Sequence, residues 1–299
     1  LTNESAGAAP KSGSDLRRRV AVASVGVPFG VATFYFGNWP TGLVLSVVAA
    51  LGTLELYRMA EAVGWKPFRW LGLPAAAALV LTAIWSGSLH GWIVHVFAVV
   101  VALLLMAPGA AVFTRGPSEH PLAAVAVTLF GPLYLGATLG FALQLRAFPG
   151  VSAGEPGWAG ALVAIFPLTV TWLGDTAAYF AGHRWGKTKL RPSVSPGKTV
   201  AGGVGGLAGA LVTAVLFSEV LLNPYSGMDL SVASSAVIGL VVGAVGQVGD
   251  LAESLLKRGA GVKDSGALFP GHGGVLDRFD SILFALPTTY LLLAVLASR

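Results

Sequence analysis

Residues 231–258 read Ser-Val-Ala-Ser-Ser-Ala-Val-Ile-Gly-Leu-Val-Val-Gly-Ala-Val-Gly-Gln-Val-Gly-Asp-Leu-Ala-Glu-Ser-Leu-Leu-Lys-Arg. The apolar run over 231–256 exceeds the about 20 residues that a bilayer core requires. Backbone groups in hydrocarbon must find their hydrogen bonds within the chain, so a run this long and apolar predicts a membrane-spanning helix. Its last third changes character. Gln247, Asp250, Glu253, Ser254, Lys257 and Arg258 follow at spacings that put most of them on one helical stripe. A glycine-rich connection and a further apolar run, 279–298, come next. Between Gly246 and Asp280 stand five of the fourteen acidic residues and four of the nineteen Lys/Arg. Such dense charge beside lipid-like sequence marks the stretch as the chemical centre of the chain.

Working outward, eight more apolar runs join this one. The nine predicted spans are 18–37, 41–60, 71–88, 91–113, 121–145, 158–181, 200–222, 231–256 and 279–298. The fold class expected is all-α, a polytopic transmembrane helical protein. The composition agrees: 55% of residues are hydrophobic and 11% charged, against about a quarter charged in soluble domains. With the N-terminus cytoplasmic and the spans alternating, seventeen of the nineteen Lys/Arg fall on the cytoplasmic side. Only Arg146 and Arg299 fall on the other. That asymmetry supports both the nine spans and the orientation, and a multi-pass protein of the cytoplasmic membrane is expected. Residues 1–16 read as a disordered tail. Arg17-Arg18-Arg19 resembles the start of a signal peptide, but no small-residue cleavage site follows, so an uncleaved first helix is expected. The chain then divides into N-terminal helices over 17–150 and a C-terminal region over 151–299 that carries the chemistry.

Cysteine is absent, which excludes disulfides, thiolate catalysis and cysteine-held metals. The net charge of +5 is first a topology signal, and no nucleic-acid partner is expected. Gly136/Gly140, Gly202/Gly206, Gly205/Gly209 and Gly239/Gly243 have the small-xxx-small spacing of closely packed helices. No internal repeat of the inverted-transporter kind is evident.

Four polar groups could carry chemistry, and the topology puts all four on the cytoplasmic side. The first is Asp175 with Tyr179, four apart on one helix face. Asp175 lies about 10 Å inside its span at 1.5 Å per residue. A carboxylate there is a functional candidate by default, with a structural hydrogen bond as the alternative. The second runs from Ser195 through Lys198 and Thr199 into a glycine-rich helix. Gly-Lys-Thr suggests a P-loop, but Pro192 stands where that motif needs glycine and no strand precedes it. What remains is a loop entering a helix N-terminus, which favours anions. The third is the stripe from Gln247 to Arg258. It is either an amphipathic helix end with a Glu253–Lys257 pair or a carboxylate site for a hard cation such as Mg²⁺. The fourth comprises Lys263, Asp264, His272, Asp277, Arg278 and Asp280. Asp277 and Asp280 are three apart and could join Asp250 around one metal. His272, in a Gly-rich turn, fits a loop or substrate-contact role, and Lys263 to Gly274 forms a candidate lid over phosphates. His90, His95, His120 and His183 read as structural, as does Glu55, which can pair with Arg58. Glu219 has no assigned role.

These residues compose a pattern. Ser254-x-x-Lys257-Arg258, four residues, Lys263-Asp264-x-Gly266, then Phe269-Pro270-x-His272-Gly273-Gly274-x-x-Asp277-Arg278-x-Asp280 resembles the signature of phosphatidate cytidylyltransferases. Asp175-x-x-Ala178-Tyr179-x-x-Gly182 and Ser195-Pro196-x-Lys198-Thr199 are similar to that family's upstream motifs, in the same order. The specific likeness covers about residues 160–298. It implies transfer of the cytidylyl group of CTP to phosphatidate with Mg²⁺, a monovalent cation such as K⁺ sharing the metal site, and a homodimer in the lipid bilayer. It further implies Asp250 and Asp277 as metal ligands, with Asp280 and Glu253 as additional candidates. Lys198, Lys257, Arg258, Lys263 and Arg278 would neutralise phosphate charge. Asp264 and Asp280 would either join the metal or orient those cations. The alternatives are a CTP-dependent lipid-alcohol kinase and a secondary transporter. A transporter's acids usually sit near the bilayer midplane, whereas these cluster at helix ends.

Overall fold

The computed structural model describes residues 12–86, 88–151, 157–266, 268 and 273–297, with side chains from Ser24 to Leu296. Among the described residues the apolar runs form nine helices: α1 (Ser12–Phe36), α2 (Asn38–Ala62), α3 (Arg69–Trp85), α4 (Leu89–Thr114), α5 (Pro121–Arg146), α6 (Trp158–Trp185), α7 (Val200–Ser226), α8 (Val232–Gly259) and α9 (Leu276–Ala297). Seven of them are long and apolar enough to cross a membrane; α3 and the Ser24–Phe36 part of α1 are shorter apolar helices. The chain is therefore an all-α polytopic membrane protein. Helix α1 begins at Ser12, inside the stretch expected to be a tail. Residues 1–11 lie outside the described residues.

The helices alternate in direction. At one end the rings of Trp39 and Trp85 meet edge to face at 5.1 Å. There too the buried Arg146 donates to the Phe34 carbonyl at 2.7 Å and to Asn38 Oδ1 at 2.8 Å. At the other end Arg115 donates to the Lys66 carbonyl at 3.0 Å, and Lys66 pairs with Glu119. The main core draws on Ala49, Tyr57, Leu139, Leu143, Phe166, Ile238 and Leu286. A smaller cluster joins α3 to α4 through Leu71, Ala75, Leu103 and Ala107. Outward-facing Phe97, Leu105, Val112 and Phe113 on α4 are exposed, as suits a helix bathed in lipid.

The four glycine pairs do serve close packing. A Cβ at Gly205 would collide with Ala181 of α6, and one at Gly239 would approach the Ala210 carbonyl of α7 to 2.8 Å. Helices α6, α7 and α8 thus touch backbone to backbone, which fixes the spacing of the polar groups they carry.

The loop expected between spans six and seven has regular structure. Strand β1 (Lys189–Arg191) pairs antiparallel with β2 (Ser195–Thr199), with Lys189 opposite Thr199 and Arg191 opposite Ser195. Pro192-Ser193-Val194 supplies the turn. Apolar alternation does not announce so short a ribbon, in which β1 is wholly exposed.

Candidate active site

Strand β2 delivers Thr199 to the N-terminus of α7, where its Oγ1 accepts the Gly202 N–H at 3.1 Å. This side-chain cap satisfies one of the helix's first free donors. The same hydroxyl lies against α6, where a Cβ at Gly182 would come within 3.0 Å of it. Under the ribbon, between α6, α7 and α8, is a cavity of about 620 Å³. Its wall contains Asp175, Tyr179, Lys198, Thr199, Gln247 and Asp250 from the sequence-predicted set.

Lys198 Nζ stands 2.5 Å from Asp250 Oδ2. Asp175 and Asp280 are both near enough to feel the charges of Asp250 and Lys198. Asp250 pairs with the Lys198 ammonium, while the exposed Asp175 and the half-buried Asp280 add negative charge nearby. The surplus negative charge, carried on hard oxygen donors, suits a divalent cation completed by phosphate oxygens. Among the described residues, no three acidic or histidine groups converge closely enough to hold a metal unaided. Gln247 donates through Nε2 to the Gly203 carbonyl at 3.0 Å, joining α8 to α7 beneath the cavity.

A second charged cluster lies deeper. Lys257 Nζ is 2.5 Å from the fully buried Glu253 and 2.6 Å from Asp277 Oδ1. Asp277 Oδ2 accepts the Ser265 N–H at 2.9 Å, the Ser265 hydroxyl at 2.9 Å and the Gly274 N–H at 2.8 Å. With its oxygens taken by protein donors, Asp277 stands as counter-ion to Lys257 and anchor of the connection, as Glu253 stands as a second counter-ion. Asp277 and Asp280 therefore serve different clusters, although they are three residues apart. Three helical steps leave about 60° between side chains, enough to separate them where two sites adjoin.

The other candidates lie outside the cavity wall. Ser254 is buried on α8, and Ser195 is half-buried at the start of β2. Arg258 is exposed and donates to the Val262 carbonyl at 2.8 Å, closing the turn after α8. Lys263, Asp264 and Arg278 are exposed near the same end. His272 lies outside the described residues, as does the middle of the candidate lid; its described flanks, at Ser265 and Gly274, are tethered to Asp277.

Three residues add to the sequence reading. His183, expected to be structural, lines the cavity with its ring nearly parallel to that of Tyr179, at 12° and 6.2 Å between centroids. Lys189 of the ribbon, unassigned in the sequence, also lines it. Glu55 does not depend on Arg58: its carboxylate receives Ser265, Val275 and Leu276. Helical spacing could have found His183, four residues past Tyr179. Nothing local points to Lys189 or Glu55, or to Tyr134, whose buried hydroxyl is near the charges of Asp280 and Glu253.

A family model described as "Cytidylyltransferase family" matches residues 17–296. The chain is 31% identical to the phosphatidate cytidylyltransferase of Synechocystis sp. over 299 aligned residues, covering 93% of this chain and 97% of the relative. It is 30% identical to the protein of that name from Bacillus subtilis over 291 residues, covering 94% and 98%. With the one from Thermotoga maritima the figures are 32% over 284 residues, covering 94% and 97%.

Proposed function

The chain belongs to the cytidylyltransferase family, and we propose that it transfers the cytidylyl group of CTP to phosphatidate, releasing pyrophosphate and leaving CDP-diacylglycerol in the membrane. It is a membrane-embedded nucleotidyltransferase. The observation that carries the substrate reading is the cavity of about 620 Å³ that joins Lys198 and Lys189 to Asp175 and Asp250 at one end of the helices. Its volume falls within the about 300–1,000 Å³ of ligand sites, and its charges suit a triphosphate.

In the proposed reaction a phosphate oxygen of phosphatidate forms the new bond to the α-phosphorus of CTP. The bond from that phosphorus to the bridging oxygen breaks, and pyrophosphate carries away the electron pair. The attacking oxygen is already anionic near neutral pH, so no strong general base is needed. Lys198 and Lys189 meet phosphate oxygens, while Thr199 and the glycines after it let the chain approach them closely. Arg258, Lys263 and Arg278 surround the same helix ends and attract the anionic substrates. Asp250 and Asp280, with Asp175 beside them, would hold Mg²⁺. When bound, that ion would neutralise charge on the phosphates. Lys257, fixed between Glu253 and Asp277, holds α8 to α9 so that Asp250 and Asp280 keep their spacing. A monovalent cation such as K⁺ and a homodimer belong to the same proposal and rest on the family resemblance. The site end is assigned to the cytoplasm, where CTP is available, on the distribution of Lys and Arg.

The purified protein in mixed micelles is to be given CTP, phosphatidate and Mg²⁺. Pyrophosphate and a CDP-lipid are expected, with no turnover in excess chelator and recovery on adding Mg²⁺ back. Phosphorylated lipid with free CDP would overturn the assignment in favour of a kinase.

A further inference from the structure

Helix α2 carries none of the signature residues, yet its Glu55 is 4% exposed and makes three hydrogen bonds to the connection between α8 and α9. Oε1 accepts the Val275 N–H, and Oε2 accepts the Leu276 N–H and the Ser265 hydroxyl, each at 2.9 Å. Leu276 is the first residue of α9. The free N–H groups at that helix start need acceptors, and the helix dipole favours a carboxylate there. A residue 220 positions away in sequence therefore caps α9. The chain is shaped to it. A Cβ at Gly266 would lie 2.5 Å from Glu55 Oε1 and 2.9 Å from its Cδ, and one at Gly274 would collide with the same carboxylate. Ser265 Oγ stands 2.9 Å from both Glu55 Oε2 and Asp277 Oδ2; its one proton serves one acid at a time, while the Ser265 N–H stays on Asp277 Oδ2.

We propose that Glu55 is a positioning residue for the transfer reaction. It fixes both described flanks of the α8–α9 connection and, through Ser265, orients the Asp277 carboxylate that holds Lys257. The N-terminal helices thereby take part in the reaction, beyond embedding the C-terminal half in the bilayer. This role rests on the cytidylyl-transfer reading for its kinetic consequence. Its structural content stands apart from that reading: one carboxylate gathers two backbone donors, one hydroxyl and two close backbone passages.

Glu55→Gln keeps the shape but brings an amide N–H₂ to a place that offers donors. The test combines amide exchange on the full-length protein without substrate, steady-state kinetics, and a pairing of Glu55→Asp with Gly266→Ala. Exchange at Ser265 and Gly274–Leu276 should quicken by at least about tenfold in Glu55→Gln, with the amides of α4 and α6 unchanged. The kcat for CDP-diacylglycerol formation should fall by at least about tenfold, with KM for CTP within about twofold of wild type. Shortening the side chain should make room for the Cβ at 266. The Glu55→Asp/Gly266→Ala pair should therefore retain more activity than the product of the single effects. Arg58→Gln, exposed on the same helix, should behave as wild type in every readout. Wild-type exchange and kcat in Glu55→Gln would overturn the proposal, as would independent effects in the 55/266 pair. If Glu55→Gln fails to fold, Ser265→Ala and Gly266→Ala carry the same readouts, and unchanged exchange at 274–276 together with unchanged kcat would overturn it. Loosened exchange in a protein that makes no CDP-lipid would instead count against the proposed reaction and leave the anchor standing.

Discussion

Asp277 and Asp280 show how much about 60° around a helix decides. Asp280 lies within reach of the charges of Asp250 and Asp175, which line the cavity, while Asp277 faces Lys257 and the Ser265 turn. Different losses follow. Asp250→Asn and Lys198→Ala remove charge at the phosphates, and each should lower kcat/KM by about 10²–10³-fold. The folded helical protein should be retained, as checked by circular dichroism alongside the CTP-plus-phosphatidate assay. Near-normal turnover would remove either residue from the site. Lys257→Met should act first on stability. It leaves the buried Glu253 and Asp277 without their cation, a change worth about 3–5 kcal/mol in buried pairs. Its thermal inactivation in detergent should come well below that of wild type. Adding Glu253→Gln should restore part of the loss, because it removes one of the stranded charges.

At the scale of elements, the cavity depends on a ribbon of eleven residues, 189–199, and three helices in backbone contact. Thr199 is the joint, ending β2 and capping α7 in one residue. Thr199→Ser keeps the accepting hydroxyl and should keep activity, whereas Thr199→Ala should lose about 1 kcal/mol of local stability. Faster amide exchange at Gly202, together with a raised KM for CTP, would report the loosened joint. Equal exchange in the two variants would deny the cap that role. The motif Ser195 to Thr199 is readable in sequence as a phosphate-type loop, but its pairing is not. A two-stranded ribbon with an exposed strand has no apolar face to betray it, and it is held by the helices beneath.

For the whole molecule, the alternating helices put the site end and the Asp229 loop on opposite sides of the bilayer. The natural lack of cysteine makes the arrangement easy to test. Lys187→Cys should react with an impermeant maleimide only when the cytoplasmic face is accessible, and Asp229→Cys only from outside. The reverse pattern would invert the topology. The nine helices among the described residues follow from sequence, because in hydrocarbon each backbone must satisfy itself locally, although α3 and the Ser24–Phe36 part of α1 are shorter than the other seven. The signature residues and the family are equally legible, since motif spacing is a one-dimensional property. Partner choice among the acids is not. Asp277 with Lys257, Asp250 with Lys198, and Glu55 with a turn more than two hundred residues away were decided by packing. Coulomb and hydrogen-bond energies depend on distances of a few ångströms, and only the glycine-mediated approach of α6, α7 and α8 and the docking of α2 against the start of α9 set those distances.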